Sequence, residues 1–292
     1  MSDKQIYRVA VTGSNGQLGK ELGLLVSKHP RFHFIFLSRQ DFPLDDTEKM
    51  KEWAGKNPVD FFIHCAAYTA VDKAESEKEN AYLVNATASG ILASFLSKAN
   101  TKLIYISTDY VFDGSSSSPL TENAPTNPVN WYGTTKREGE KLVLKNNPNS
   151  MVIRTSWLYS GYGHNFLKTM MRLMKEKPSI RVVEDQKGSP TFAGDLAGAI
   201  LEILESDRFI PGVYHYSNEG ETTWFGFARE IKRLTQSSCE LVPIPSSEFQ
   251  TAAMRPAYSL LDKSKIKKDF GLQIPDWKFS LGLCINSIIQ GV

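Results

Sequence analysis

The stretch "TGSNGQLG", Thr12 to Gly19, places glycines at every third position directly after an apolar run. The preceding run "IYRVAV" is strand-like, and the following segment "QLGKELGLLVSKH" carries apolar residues at helical spacing. A strand, a glycine-rich turn and a helix start, in this order, are typical of a corner that binds a pyrophosphate. The glycines let the backbone approach the anion closely. A simple turn is the alternative, and the elements on both sides argue against it.

The rest of the chain repeats this alternation. The runs "FHFIFLSR", "VDFFIHCAA", "TKLIYISTD" and "SMVIRTSWLY" are strand-like, and helical segments separate them, including a long helical stretch from Asp72 to Asn100. Continuous apolar strands between helices indicate a parallel sheet covered on both faces. We therefore predict an α/β protein: a Rossmann-like, doubly wound parallel sheet with a smaller C-terminal substrate-binding lobe. Residues 1–160 would form the dinucleotide-binding domain and recruit parts of 180–220, and residues 161–292 would mainly form the lobe.

Composition excludes several classes of function. The 292 residues include 34 Lys and Arg against 32 Asp and Glu, a net charge of +2 that gives no support for binding nucleic acid or a membrane surface. We find neither a signal-peptide core nor an apolar run long enough to span a membrane. The three cysteines are scattered, and the five histidines show no metal-binding spacing. We expect a cytoplasmic protein without a metal site and without nucleic-acid or membrane partners.

A second motif lies in "NPVNWYGTTKREGEKL", which reads as a helix start. Tyr132 and Lys136 are four residues apart, so a helix places both side chains on one face. A nearby ammonium favours the phenolate and lowers a tyrosine pKa, which suits proton exchange with a carbonyl oxygen. Thr108, at the end of the strand-like run "YIST", can hydrogen-bond the same oxygen. Taken alone, such a pair is more often part of an ordinary helix surface.

The combination of G-x-x-G-x-x-G, a strand-end threonine and Tyr-x-x-x-Lys resembles the extended short-chain dehydrogenase/reductase superfamily. Further motifs narrow the resemblance: "AAYTAVDKAE", "NATASG", "STDYVFDG", "RTSWLYS", "DQKGSPT" and "MRPAYSLLD" follow one another in this order. From Val9 to about Trp277, the chain resembles the dTDP-4-dehydrorhamnose reductase family. The resemblance implies an oxidoreductase that uses NADPH to reduce the C4 ketone of dTDP-4-dehydro-L-rhamnose. The implied product is dTDP-L-rhamnose, so the implied partner is a small nucleotide-sugar.

The resemblance also implies which residues form the site. The implied catalytic set is Thr108, Asp109, Tyr132 and Lys136. The implied cofactor contacts are Gly13, Asn15, Gly16, Gln17, Leu18, Gly19, Asp45, Ala66, Ala67, Thr69, Tyr132 and Lys136. The implied substrate contacts are Thr108, Tyr110, Val111, Trp157 and Arg255. Trp157 is equally compatible with a core position, and a structural ion pair is the alternative for Arg255.

The end of the second strand, "FIFLSRQ", predicts the choice of cofactor. Many NAD enzymes place an acidic residue there to bind the ribose 2′-hydroxyl. This chain has Ser38 and Arg39, which can bind a 2′-phosphate, so we predict a preference for NADPH, with NADH as a possible second cofactor. The alternative is that Arg39 is an ordinary surface residue after a strand.

Two other functions stay open at this stage. A related sugar-nucleotide epimerase is hard to exclude, whereas a 4,6-dehydratase needs an acidic residue where this chain has Tyr110. The chain also resembles a non-catalytic regulatory subunit of methionine adenosyltransferase.

Some members of the reductase family are described with magnesium bridging two subunits through glutamates. Glu21 matches one such position, but "FAGDLAG" after "DQKGSPT" lacks the expected glutamate, so a homodimer remains open and the metal is not expected.

Overall fold

Within residues 6–291 the structure has twelve strands, and six of them form one parallel sheet. The computed structural model describes residues 6–291, so the outermost residues of the two predicted domains, 1–5 and 292, lie outside the described part. The strands are β1 Tyr7–Thr12, β2 Phe32–Leu37, β3 Phe61–His64, β4 Lys102–Thr108, β5 Ser150–Thr155, β6 Leu158–Tyr159, β7 Ser179–Val183, β8 Lys187–Gly188, β9 Thr191–Phe192, β10 Gly212–Tyr216, β11 Thr222–Thr223 and β12 Glu240–Ile244. The central sheet has the order β10-β5-β4-β3-β1-β2, with every neighbouring pair parallel.

Helices connect these strands and cover the sheet. They are α1 Gln17–Leu25, α2 Thr47–Lys56, α3 Val71–Ala74, α4 Lys78–Tyr82, α5 Ala88–Lys98, α6 Trp131–Asn146, α7 Phe166–Glu176, α8 Ala193–Glu205, α9 Trp224–Thr235, α10 Ser264–Phe270 and α11 Trp277–Gln290. Short 3-10 turns occupy Val26–Lys28, Asp109–Val111 and Ser246–Glu248. Within residues 6–291, no helix combines the length and apolar character that a membrane span requires.

The stretch predicted to be helical from Asp72 to Asn100 is helical over most of its length, but the structure divides it into separate elements. α3 and α4 are separate short helices, and a π-helical turn at Leu83–Thr87 stands between α4 and α5. In that turn, the buried Asn85 directs its side-chain amide away from the helix, where it pairs with both backbone polar groups of Tyr68 at 2.8 and 3.0 Å. Turns of this kind often stand near functional sites, and this one holds the loop that follows β3.

Three apolar clusters give the protein its layers. One packs α1 and α8 against the sheet, and a second packs α2 and α5 on its other face. The third lies outside the sheet and joins α7, α9 and α11. These layers confirm the predicted α/β class with a Rossmann-like parallel sheet. Within 180–220, β10 joins the central sheet as an edge strand, whereas β7 pairs with β12 in a separate small sheet.

Candidate active site

A cavity of about 900 Å³ opens at the carboxyl ends of the central strands. The strand order reverses at β1, which lies between β2 and β3, and ligands of open α/β sheets bind in the crevice at such a reversal. Of the predicted site residues, the following line the cavity: Gly13, Gly16, Gln17, Leu18, Gly19, Ser38, Arg39, Asp45, Ala66, Ala67, Thr69, Thr108, Asp109, Tyr110, Tyr132, Lys136 and Trp157. Asn15, Val111 and Arg255 are not among the lining residues.

The glycine loop forms a corner in which side chains have no room. Gly13 has a φ of +69°, and a Cβ added there would lie 2.9 Å from the Ala66 backbone nitrogen. A Cβ at Gly19 would overlap the Gly13 carbonyl oxygen. The close packing of loop, helix start and β3 therefore depends on glycine. With α1 beginning at Gln17, this corner fits the pyrophosphate of a dinucleotide.

α6 carries the tyrosine into the cavity. Asn130 caps the helix, and its side-chain oxygen accepts from the Gly133 nitrogen at 2.7 Å, so the helix begins immediately before Tyr132. Burial raises the pKa of Tyr132 above its usual range, while the nearby Thr108 hydroxyl lowers it. The expected lowering by Lys136 is therefore wrong, because desolvation of the phenol dominates. The phenol stays protonated at neutral pH and can act as a proton donor.

Lys136 lies one turn further along α6 and is only 2% exposed. Its Nζ donates to the Ile106 carbonyl oxygen at 2.8 Å and lies 4.0 Å from the centre of the Tyr105 ring. Burial lowers the pKa of Lys136 to about 7, while the negative charge of Glu140 raises it. The amine therefore titrates near neutral pH instead of remaining an ordinary solvated ammonium.

A buried ion pair behind Lys136 was not anticipated from the sequence. Glu140 is fully buried and accepts two hydrogen bonds from the Arg154 guanidinium, both at 2.8 Å. It also accepts from the Ser107 hydroxyl at 2.6 Å. The pair thus joins α6 to the ends of β4 and β5, next to Thr108. The spacing could have predicted that Glu140 lies on the same helix face, since it follows Lys136 by the same four residues that separate Lys136 from Tyr132.

Asp109 places a buried carboxylate beside Thr108. One of its oxygens, Oδ1, accepts from the Thr108 hydroxyl at 3.1 Å, whereas the buried Oδ2 has no hydrogen-bond partner in the described structure. Burial raises the pKa of Asp109 to about 6. Hydrogen bonding by the buried Ser259 and Thr108 hydroxyls lowers the same pKa, so both hydroxyls act on this carboxylate.

The chain is similar to known proteins over nearly its whole length. The profile of the family described as the RmlD substrate binding domain matches residues 7–289. The chain belongs to this family of dTDP-4-dehydrorhamnose reductases. It is 37% identical to the dTDP-4-dehydrorhamnose reductase of Burkholderia thailandensis, across 97% of this chain and 99% of that protein. The solved structure of the Bacillus anthracis dTDP-4-dehydrorhamnose reductase in complex with NADP is 36% identical, with a TM-score of 0.93, and covers 97% of this chain and 100% of that one. The Clostridium acetobutylicum structure of the same name is 37% identical, with a TM-score of 0.92, covering 97% and 99%.

Three residues carried over by resemblance to the reductase family lie outside the cavity lining. Asn15 is exposed in the glycine turn. Val111 is fully buried in a small apolar cluster with Phe112, Leu120 and Leu261, so its side chain contributes to packing and is not available to a sugar.

Arg255 forms the ion pair that was its alternative reading. Its guanidinium donates to both carboxylate oxygens of Asp72, at 3.2 and 2.8 Å, and to the Ala253 carbonyl oxygen at 2.9 Å. These bonds fix the "MRPAY" segment to the start of α3. Because the carboxylate already satisfies the fork of the guanidinium, binding a diphosphate would require Arg255 to exchange partners.

Ser38 and Arg39, which we predicted to select NADPH, are already paired with carboxylates. Arg39 is largely exposed and pairs with Asp45 at 3.1 Å. The Ser38 hydroxyl and backbone nitrogen both donate to Asp41, at 2.6 and 2.9 Å. A 2′-phosphate would therefore compete with Asp45 for Arg39. The short sequence separation of Arg39, Asp41 and Asp45 was a signal for this network.

Sequence reasoning also missed cavity residues that lie far apart along the chain. Tyr68, Gly163, His164 and Trp224 line the cavity. Only Tyr68 belonged to a recognised motif, so local pattern offered no signal for the others.

Glu21, which matches a magnesium position of some family members, is buried, and burial, followed by the charge of Asp195, raises its pKa to about 7. Within residues 6–291, no three His, Cys, Asp or Glu side chains are grouped as metal ligands would be.

Proposed function

We propose that this protein uses NADPH to reduce the C4 ketone of dTDP-4-dehydro-L-rhamnose, yielding dTDP-L-rhamnose in nucleotide-sugar biosynthesis. One observation carries the proposal: Thr108, Tyr132 and Lys136 line the same cavity as the glycine corner that fits a dinucleotide. Family membership supports it, since relatives similar over nearly the whole chain bear the name of this activity. The complex of the Bacillus anthracis relative with NADP supports the choice of cofactor.

The residues divide the proposed reaction among them. A bound reduced nicotinamide would supply the hydride for C4. Tyr132 would donate its phenolic proton to the ketone oxygen, and the burial that raises its pKa keeps that proton in place until negative charge develops on the oxygen. The Thr108 hydroxyl would orient the same oxygen, since both side chains line the cavity. Lys136 would hold a ribose of the cofactor, and the buried Asp109 carboxylate, which accepts from the Thr108 hydroxyl, would hold that side chain in place.

The neighbour of Asp109 supports a reductase over a dehydratase. Tyr110 stands where a dehydratase would need a carboxylate, and burial raises the pKa of its phenol above the usual range. Such a group cannot serve as a base at neutral pH.

The further assignments rest on the same proposal. Residues 1–160, together with β10, would serve the cofactor, and residues 161–292 would mainly serve the nucleotide-sugar. The free cysteines Cys65, Cys239 and Cys284 fit a cytoplasmic enzyme. A homodimer stays a prediction, which sedimentation of the purified chain in the analytical ultracentrifuge would test.

The decisive experiment mixes the purified protein with enzymatically prepared dTDP-4-dehydro-L-rhamnose and NADPH. We expect oxidation of the cofactor that depends on the ketosugar and yields dTDP-L-rhamnose, identified by NMR. The Tyr132→Phe variant provides the inactive control. If the wild type binds cofactor but oxidises none with the ketosugar, the proposal is wrong and a non-catalytic relative becomes the better reading. A C5 epimer with no net oxidation would indicate an epimerase.

A further inference from the structure

Two stacked indoles form one wall of the cavity. The rings of Trp157 and Trp224 have centroids 3.7 Å apart and planes only 9° from parallel, and both residues line the cavity. Trp157 stands two residues beyond Thr155, which pairs with Thr108 across β5 and β4. This wall is therefore anchored beside the residue proposed to orient the ketone.

The backbone of Trp157 is held in an unfavourable conformation. Its φ of 48° lies in the left-handed region, which a bulky side chain rarely adopts. Such a conformation persists only where the surroundings enforce it. Trp224 covers one face of the indole, and Gly188 also lies against the indole, where an added Cβ would stand 2.8 Å from Trp157 Cε2. The position of the indole is thus constrained on two sides.

Trp224 is itself fixed by the C-terminal part of the chain. It is the first residue of α9, whose cap Thr223 accepts from the Gly226 nitrogen at 3.0 Å. Its indole nitrogen donates to Gln186 Oε1 at 3.1 Å, and the Gln186 amide donates to the Ser246 hydroxyl at 2.9 Å. A continuous set of contacts therefore runs from the lobe to the indole of Trp157.

We infer that Trp224 is a positioning residue: it holds the Trp157 indole as the apolar wall on which the C–H-bearing face of the ligand's deoxysugar packs. The inference rests on the proposed function, since that function supplies the ligand class. A flat aromatic surface beside the reacting ketone suits a ring that has lost a hydroxyl, whereas the glycine corner at β1 serves the dinucleotide. The wall selects the sugar part of the nucleotide-sugar and not its base.

The test is a set of substitutions read out by the two Michaelis constants and by binding. Trp224→Ala should raise KM for the ketosugar about three- to tenfold, the scale of a lost aromatic pair. It should leave kcat within about twofold, because the lost contact is uniform binding. KM for NADPH should not change. Affinity for dTDP-L-rhamnose should fall by the same factor as KM rises, while affinity for dTDP should stay constant.

Matched variants separate positioning from general damage. Trp224→Phe keeps a ring on the stack and should stay within about twofold of wild type. Phe225→Ala removes the neighbouring aromatic ring of α9, which lines a different cavity, and should leave both Michaelis constants unchanged. Gly188→Ala should displace Trp157 from its other side and reproduce the Trp224→Ala pattern, so the inference stays testable if Trp224→Ala fails to fold.

A double-substitution cycle tests whether Trp224 acts through Trp157. In the Trp157→Ala background, adding Trp224→Ala should have no further effect on KM for the ketosugar. Additive effects, an equal loss of dTDP affinity, or an unchanged KM in both Trp224→Ala and Gly188→Ala would overturn the inference. If wild type fails to reduce the ketosugar, the proposed function fails, and the dTDP-L-rhamnose and dTDP binding measurements still decide this inference separately.

Discussion

Replacing Lys136 by methionine should stabilise the fold while it abolishes activity. The side chain is 2% exposed, with its amine against the Ile106 carbonyl oxygen and over the Tyr105 ring. Methionine has a similar length and no charge, so it can fill the same space without a buried ionisable group. Activity should fall because Lys136 lines the catalytic cavity beside Tyr132.

The size of the stabilisation follows from the environment of the amine. Burial lowers the pKa of Lys136 from 10.5 to about 7. At ~1.36 kcal/mol per pKa unit, burying the amine therefore costs roughly 4–5 kcal/mol near pH 7. The substitution loses one hydrogen bond and one cation–π contact, about 1 kcal/mol each. The expected net gain is roughly 2–3 kcal/mol, which corresponds to an increase in Tm of about 4–6 °C for a chain of this size.

The gain has a definite dependence on pH. Because the folded-state pKa lies below the unfolded-state value, the unfolded wild type binds more protons between about pH 7 and pH 10.5, so wild-type stability rises across that window. The advantage of the Lys136→Met variant should be fully present below about pH 7 and disappear as the pH approaches about 10.5.

Urea unfolding of both proteins at about pH 6, 7.5 and 9 measures this advantage directly. Lys141→Met changes an exposed lysine of the same helix and provides the control, with little expected change. The reasoning is refuted if Lys136→Met is less stable than wild type at pH 6, or if its advantage is the same at all three pH values. Retention of turnover would instead refute the catalytic assignment.

Three further predictions concern the chemistry, the cofactor and a loop. Tyr132→Phe should lower kcat about a hundredfold or more with little change in cofactor affinity, and near-normal turnover would contradict the proton-donor role. Arg39→Ala should reduce the NADPH preference by about three- to tenfold and leave NADH kinetics unchanged, the lower end being expected because Asp45 competes for the guanidinium. An alanine variant that still prefers NADPH as strongly would show that Arg39 does not select the cofactor. In the segment 114–125, Leu120 is fixed by two backbone hydrogen bonds to the 260–262 segment. Hydrogen exchange with and without dTDP-L-rhamnose should therefore differ only in 115–119, and equal protection there would exclude ordering by the ligand.

The sequence by itself was sufficient for the features that depend on local pattern. The strands of the parallel sheet and the helices between them follow from apolar periodicity. Gly13 and Gly19 predict the turn after β1, and no side chain fits at either position. The placement of Tyr132 and Lys136 on one helix face follows from their spacing alone. Ordered motifs along the chain indicated the reductase family, which the comparisons confirm.

Only the tertiary structure decided which of these groups meet and in what environment. Arg255 finds its partner Asp72 across 183 positions, and Trp157 stacks on Trp224, which follows much later in the chain, so no local window contains either pair. The pKa of Tyr132 is raised where the sequence suggested a lowering, because desolvation depends on everything packed around the phenol and outweighs the lowering by the Thr108 hydroxyl. Apolar periodicity can be read from neighbouring residues, whereas the burial of a side chain depends on the whole fold.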